Sequence, residues 1–296
     1  MNSFIDYLRH ERNYSAHTVI SYANDLRQFI DFLDETGKAE REVFDMERID
    51  ADIVRQWMMK MMKQPYSPTS VNRKLSALQS FFTYAVRKGI VPKNPLQLVN
   101  GPKKPKPIPY FIKEKEIDAL LDDESDDAGF VAVRNKLMLE LFYETGIRCS
   151  ELVGIKDVDV NIGAMMLKVT GKRNKQRFIP FADRLKEMIQ YYINVRAREV
   201  GEGSAAFFIR KDGRPVTSAI VYYVVKKQLS SIPSLSKRSP HILRHTFATS
   251  MMNNGATMSA VSNLLGHSSL ASTSIYTHVT FKELKKVYNA HPRAKK

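Results

Sequence analysis

Ser239-Pro240-His241-Ile242-Leu243-Arg244-His245-Thr246-Phe247-Ala248-Thr249 is the stretch on which the reading of this chain turns. Ser-Pro starts a helix, because proline is preorganised for the first helical position. On that helix, residues 241, 244 and 245 share a face, since positions three and four apart are neighbours. Two imidazoles and a guanidinium are therefore presented together near a helix N-terminus, which itself favours anions. His241 and His245 also have the spacing of a zinc motif. However, Ile242 stands where that motif has glutamate, Arg244 would repel a cation, and the single cysteine, Cys149, offers no cluster to complete a site. No metal is expected. An anion site and a pair of satisfied core histidines both remain open from this stretch alone.

Working outward, Leu264-Leu265-Gly266-His267 reads as a helix stopped by glycine, with His267 just past its end. Tyr276 follows within Ile275-Tyr276-Thr277-His278-Val279, a setting that by itself marks an ordinary packing residue. Upstream lies Thr145-Gly146-Ile147-Arg148-Cys149-Ser150-Glu151-Leu152. Here a helix over 131–145 ends at Gly146, Arg148 sits in the turn, and Ser150 is placed to cap a short helix with Glu151 in its first turn. Arg148 reads either as a surface ion pair with Glu151 or as a phosphate clamp. Met165 to Thr170 and Arg177 to Phe181 read as two short strands. They are joined at Gly171-Lys172-Arg173-Asn174-Lys175-Gln176, a β-hairpin with a cationic tip.

Charge indicates what such groups would meet. The 296 residues carry 46 Lys and Arg against 31 Asp and Glu, a net +15. Residues 1–101 hold 14 basic and 12 acidic side chains, whereas residues 128–296 hold 27 and 11, a balance of +16. A C-terminal half this basic expects a polyanion, nucleic acid above all. An apolar content of 43 % argues against wholesale disorder. The longest apolar run, Ala219 to Val225, falls far short of the ~20 residues that span a bilayer, so no membrane partner is expected. The opening Met1-Asn2-Ser3-Phe4-Ile5-Asp6 lacks the basic and apolar regions of a secretory signal, and one cysteine cannot form an intrachain disulfide. A reducing cytosol is the expected compartment.

Gly101-Pro102-Lys103-Lys104-Pro105-Lys106-Pro107-Ile108-Pro109 cannot sit inside a helix and divides the chain. The expected layout is a helical domain over 1–101, a linker over 102–110 and a second domain over 111–296. In the first, Ser15 caps a helix with Val19, Tyr22, Leu26, Phe29, Ile30 and Leu33 on one stripe. A second helix runs from Asp52 to Lys63, and a third from Ser67-Pro68 to Lys88-Gly89. A short helix near 2–11 completes a bundle of four. Arg73 and Lys74 on the third helix, Lys103 and Lys104 in the linker, and Lys175 and Arg177 in the hairpin are candidate phosphate contacts. Beyond the linker, helices are expected at 114–121, 131–145, 183–199 and 217–230, then from Ser239-Pro240 to Asn254 and from Thr257 to Gly266. After Tyr276, the stripe Phe281, Leu284, Val287 and Tyr288 predicts a tail helix over 281–290, stopped by His291-Pro292.

The Ser239–Thr249 stretch, Leu264–Ser269 and Ile275–Val279 together resemble the tyrosine recombinase family, and look most like its Xer recombinases and their phage-integrase relatives. Thr145–Leu152 is similar to the family's first arginine box, Gly171–Arg177 to its hairpin lysine segment, and Asn13-Tyr14-Ser15-Ala16-His17-Thr18 to the opening of its core-binding domain. The resemblance implies a mainly α, two-domain protein: an N-terminal four-helix, SAM-like core-binding domain and a C-terminal α+β catalytic domain with a small sheet. It implies six catalytic residues: Arg148, Lys172, His241, Arg244, His267 and the nucleophile Tyr276. The Gly171-Lys172 pair points to Lys172 rather than Lys175 as the hairpin lysine.

The implied reaction is transesterification of a DNA phosphodiester through a 3′-phosphotyrosyl intermediate, without metal, ATP or other cofactor. Implied roles follow residue by residue. Arg148 and Arg244 clamp phosphate oxygens, His241 assists as base, Lys172 protonates the leaving 5′-oxygen, and His267 donates to a phosphate oxygen. Glu151 and His245 read as supporting. The implied partners are double-stranded DNA with a specific site and either further copies, as a tetramer on DNA, or a related recombinase. The setting is cytoplasmic, at the nucleoid. The core-binding segment starts almost at residue 1, which favours a Xer-type chromosome-dimer resolvase, or a simple mobile-element integrase, over a phage integrase with an added arm-binding domain. A catalytically inert DNA-binding relative is opposed by six intact positions. In this family the terminal segment commonly docks into a neighbouring protomer, which would tie Tyr276 to assembly.

Overall fold

The computed structural model describes residues 1–37, 46–104, 111–122, 129–171, 174–201, 203–266 and 287–295. The chain forms two compact units, Met1–Pro107 and Ile108–Lys296. Among the described residues no helix is long and apolar enough to cross a membrane.

In the first unit, α1 (Asn2–Asp6) runs on into a wider π-type turn over Tyr7–Glu11. The other three helices begin where a short polar side chain satisfies an amide the helix itself leaves free. Ser15 accepts from the Thr18 amide at 3.3 Å to start α2 (Ala16–Glu35). Asp50 accepts from the Asp52 and Ile53 amides at 2.9 Å to start α3 (Ala51–Lys63). Ser67 accepts from the Ser70 amide at 3.2 Å, with Pro68 first in α4 (Pro68–Arg87). Phe4, Leu26, Phe29, Trp57, Leu78 and Phe82 close the core between them.

One expected phosphate contact changes meaning here. Lys74 is only 3 % exposed. Its Nζ lies 3.1 Å from Asp25, itself 2 % exposed, and 5.1 Å from the centre of the Tyr66 ring. A buried carboxylate must be paired, so Lys74 is a core counter-ion and not a surface contact. Arg73 also pairs with Asp25 but stays half exposed. Lys103 and Lys104 are exposed.

The second unit follows the order α5 (Glu114–Leu121), α6 (Phe130–Thr145), α7 (Cys149–Val153), β1 (Val160–Asn161), β2 (Met166–Thr170), β3 (Gln176–Pro180), α8 (Asp183–Glu199), α9 (Ser218–Gln228), α10 (Pro240–Asn253) and α11 (Met258–Leu265). The strands form an antiparallel sheet in the order β1-β2-β3, with Leu167 opposite both Val160 and Ile179. α6 is the axis of the unit. Residues 137–145 are all buried, and the helix packs against α8 and α10. A helix buried all round must satisfy its carboxylates inside the protein.

Residues 287–295 supply part of that satisfaction. Arg293 is fully buried and donates to Asp118, Asp122 and Glu140 at 2.9–3.1 Å. Tyr288 Oη donates to Glu144 Oε2 at 2.9 Å. Burial, together with the charge of Glu140, pushes the Glu144 carboxyl up to about 8, so it is mostly protonated at neutral pH. His291 stacks on Phe247 and meets Tyr143 edge-on, and burial pulls its imidazole down to about 3. The expected tail helix over 281–290 is therefore met only in part. Residues 287 and 288 are helical, a turn follows, and Pro292–Lys295 form a 3₁₀ turn, whereas 281–286 lie outside the described residues. Residues 288–293 of the described tail pack on their own unit, where Arg293 finds three carboxylates and His291 an aromatic seat.

Gly146 ends α6 in the left-handed conformation, with φ +58°. A Cβ there would lie 2.5 Å from Phe247 Cδ1 and 2.7 Å from Leu265 Cδ2. Gly146→Ala combines left-handed strain with overpacking and is expected to destabilise the unit by about 2–4 kcal/mol. Native-state hydrogen exchange at the amides of α6 and α10 reads this directly, and unchanged protection would contradict it.

Candidate active site

Glu151 is the centre of the site. It lies in α7, 1 % exposed, and four donors converge on its carboxylate. Oε1 accepts from Arg148 Nη1 at 2.8 Å and from Arg177 Nη1 at 2.7 Å. Oε2 accepts from the Arg148 amide at 2.8 Å and from Arg177 Nη2 at 2.9 Å. Burial alone would raise this carboxyl, but the bonds and charge of Arg177, followed by those of Arg148, hold it at about 2. The expected cap is displaced by this arrangement: Arg148, not Ser150, occupies the position before α7, and Glu151 takes its amide.

The end of α11 carries the second set of partners. Arg177 Nε donates to the Leu264 carbonyl at 2.8 Å, Arg244 Nη2 to Leu265 at 2.7 Å, and Arg148 Nη2 to Gly266 at 3.2 Å. These carbonyls have no partner within their own helix, and the C-terminal end of a helix favours cations. Arg244 donates its other Nη to Gly146 and so ties the ends of α6 and α11 together. Burial, then the charges of Arg148 and Arg177, lower Arg244 to about 10, which leaves it charged at neutral pH.

His241 sits in the first turn of α10, after Ser239 and Pro240; Ser239 makes no side-chain cap bond. Burial, His245, Arg244 and Arg148 all push its imidazole below the ordinary value of 6.5. A mostly neutral imidazole beside two guanidiniums can accept a proton while they hold an anion. Cys149 is buried, and burial raises its thiol, so it is not a reactive nucleophile.

Of the expected residues, the structure brings Arg148, His241 and Arg244 into one cluster. Lys172, His267 and Tyr276 lie outside the described residues. Gly171 and Gly266, which precede two of them, belong to the cluster: a Cβ on Gly171 would stand 3.0 Å from Glu151 Oε1. Lys175 is exposed. Arg177 is a correction. Its side chain is 10 % exposed and each of its three nitrogens bonds Glu151 or Leu264, so it is not a free phosphate contact. Strand alternation carried the signal, because residue 177 is in phase with the buried Ile179 and not with the exposed Phe178.

Residues 110–283 match the phage integrase family, and residues 1–89 match that family's N-terminal SAM-like domain. The chain belongs to the phage integrase family, the tyrosine recombinases. It is 37 % identical to tyrosine recombinase XerC of Chlorobaculum tepidum, over 99 % of this chain and 94 % of that protein. It is 38 % identical to XerC of Staphylococcus saprophyticus, over 99 % and 97 %. In fold it is similar to the XerH site-specific recombinase bound to a palindromic difH substrate, with a TM-score of 0.74 at 20 % identity, covering 94 % of this chain and 81 % of that one.

The acid behaviour of the site follows from Glu151. Its folded value of about 2 lies below its ordinary 4.5, so its contribution is complete above pH 4.5 and is lost as pH falls toward 2. The loss amounts to about 3 kcal/mol, at 1.36 kcal/mol per unit. Glu151→Gln is expected to lower stability at pH 7 and to flatten the fall between pH 4.5 and 2, as read by urea unfolding across that range. An acid limb identical to that of the wild type would refute the pairing.

Proposed function

We propose that this chain is a Xer-type site-specific DNA recombinase that cuts and rejoins strands through a phosphotyrosyl bond on Tyr276. The supporting observation is the cluster of Arg148 and Arg244, two guanidiniums that donate to backbone carbonyls, Arg148 also to Glu151, with a proton-accepting His241 alongside. Such a group is built to meet the charge that grows on a phosphorane.

Tyr276 attacks phosphorus, the P–O5′ bond breaks, and the 3′-phosphate stays on the phenol oxygen. His241 takes the phenol proton and Lys172 returns one to the leaving 5′-oxygen. A 5′-hydroxyl from the partner strand then reverses the step, so the phosphodiester energy is kept and no nucleotide is consumed. His267 donates to a phosphate oxygen. Double-stranded DNA is the substrate, bound by the basic C-terminal half with Arg73, Lys103, Lys104 and Lys175 as further backbone contacts. Four protomers, of this chain or paired with a related recombinase, assemble on two sites. Resolution of chromosome dimers at the nucleoid, in the cytoplasm, is the role that fits best.

Tyr276→Phe is expected to bind DNA like the wild type and to form no covalent adduct on a nicked suicide duplex. Trapping by the Phe variant would remove Tyr276 as nucleophile. Cleavage is expected to proceed in EDTA without nucleotide; a strict Mg²⁺ requirement would overturn the arginine mechanism. Half-site binding is expected to weaken steeply with salt, since counterions are released as phosphates are neutralised.

A further inference from the structure

Among the described residues, Arg177 is the arginine of the cluster whose three guanidinium nitrogens each bond a protein oxygen. Nε bonds Leu264, and the two terminal nitrogens form a parallel pair on Glu151. Arg148 is different: it stays about a third exposed and shares the same carboxylate. Charge explains why both are needed. Arg148 with Glu151 alone is a neutral pair, and it would set a carboxylate against an incoming phosphate. Adding Arg177 makes the trio net positive and occupies one acceptor site on each carboxylate oxygen. The parallel geometry is one that lysine cannot reproduce. The same side chain also holds the Leu264 carbonyl in the last turn of α11, two residues before Gly266, which accepts from Arg148.

We infer that Arg177 is a positioning residue for strand cleavage: by holding Glu151 and the end of α11, it leaves Arg148 with a net positive charge aimed at the scissile phosphate. The inference rests on the recombinase reading above. Arg177 touches no reacting atom. Its loss therefore shows in the rate of cleavage rather than in affinity for DNA.

The test uses the full chain and a duplex recovered by mapping the wild-type protein's covalent junctions on genomic DNA. Arg177→Met is expected to bind that duplex within about twofold of wild type and to form adduct about 100-fold more slowly at saturating DNA. Arg177→Lys is expected to fall between them. The decisive variant is Glu151→Gln combined with Arg177→Met. If Arg177 acts through Glu151, removing the excess negative charge makes the double variant faster than Arg177→Met alone. If the two substitutions instead slow the reaction independently, so that their effects multiply, the inference fails. It also fails if Arg177→Met weakens binding tenfold while the saturated rate is unchanged, the signature of a direct DNA contact. Misfolding lowers the amplitude of adduct formation and mispositioning lowers its rate constant, so the two are separated in one trace. Should the Met variant not fold, Arg177→Lys with and without Glu151→Gln carries the same comparison. Absence of any adduct from the wild-type chain would instead defeat the recombinase reading, and this inference with it.

Discussion

Three consecutive peptide carbonyls at the end of one short helix organise the catalytic unit. Leu264, Leu265 and Gly266 each accept from a different arginine, and the arginines come from β3, α10 and the turn before α7. Like charges gathered this closely repel, so the cluster exists only because its donors are satisfied. A carbonyl satisfies an N–H without cancelling its charge. Glu151 cancels one charge of the three, and the remainder persists as a positive field before any anion arrives. Rigid donors already in place spare the reaction the reorganisation that water would require.

A second charge system in the same unit is centred on the buried Arg293–Glu140 pair. Arg293 and Arg184 there face Asp118, Asp122 and Glu140. Two carboxyl oxygens, Glu140 Oε2 and Glu144 Oε1, have no hydrogen-bond partner among the described residues. Each such atom carries a penalty of about 1–3 kcal/mol. The seat of the tail is therefore well specified in geometry but imperfect in energy. It is attached to α6, whose last turn leads directly into Arg148, so tail and site share one rigid support.

The helices were legible because their signals are local. Ser15 and Ser67 are caps that need only their next three residues, and 114–121 and 183–199 coincide with α5 and α8 to the residue. Arg148, His241 and Arg244 could be nominated from their boxes, and the structure gathers them. What stayed hidden depends on burial, which is a property of the whole fold. Lys74 looks like any helical lysine until Asp25 proves to be inside. Glu151 reads as a partner for Arg148, but nothing within α7 shows that Arg177, 26 residues away, claims the same oxygens. β1 is two residues long, too short for any alternation to register. The tail stripe was visible, but the seat of Arg293 just beyond it was not, because the carboxylates that hold Arg293 are 153 to 175 residues distant.

Those distances bear on when the chain becomes competent. The bonds that gather the arginines span 87 residues from Arg177 to Leu264 and 118 from Arg148 to Gly266. Contacts of such long range form late, since loop closure must precede any gain from them. On a ribosome the order is stricter still: synthesis runs from the N-terminus, and the α11 carbonyls are made after every arginine that donates to them. A nascent or truncated polypeptide can fold its helical N-terminal unit and much of the second unit while its arginines remain apart. The arginine cluster of this recombinase is thus assembled only after α11, the last-made of its parts, has been synthesised.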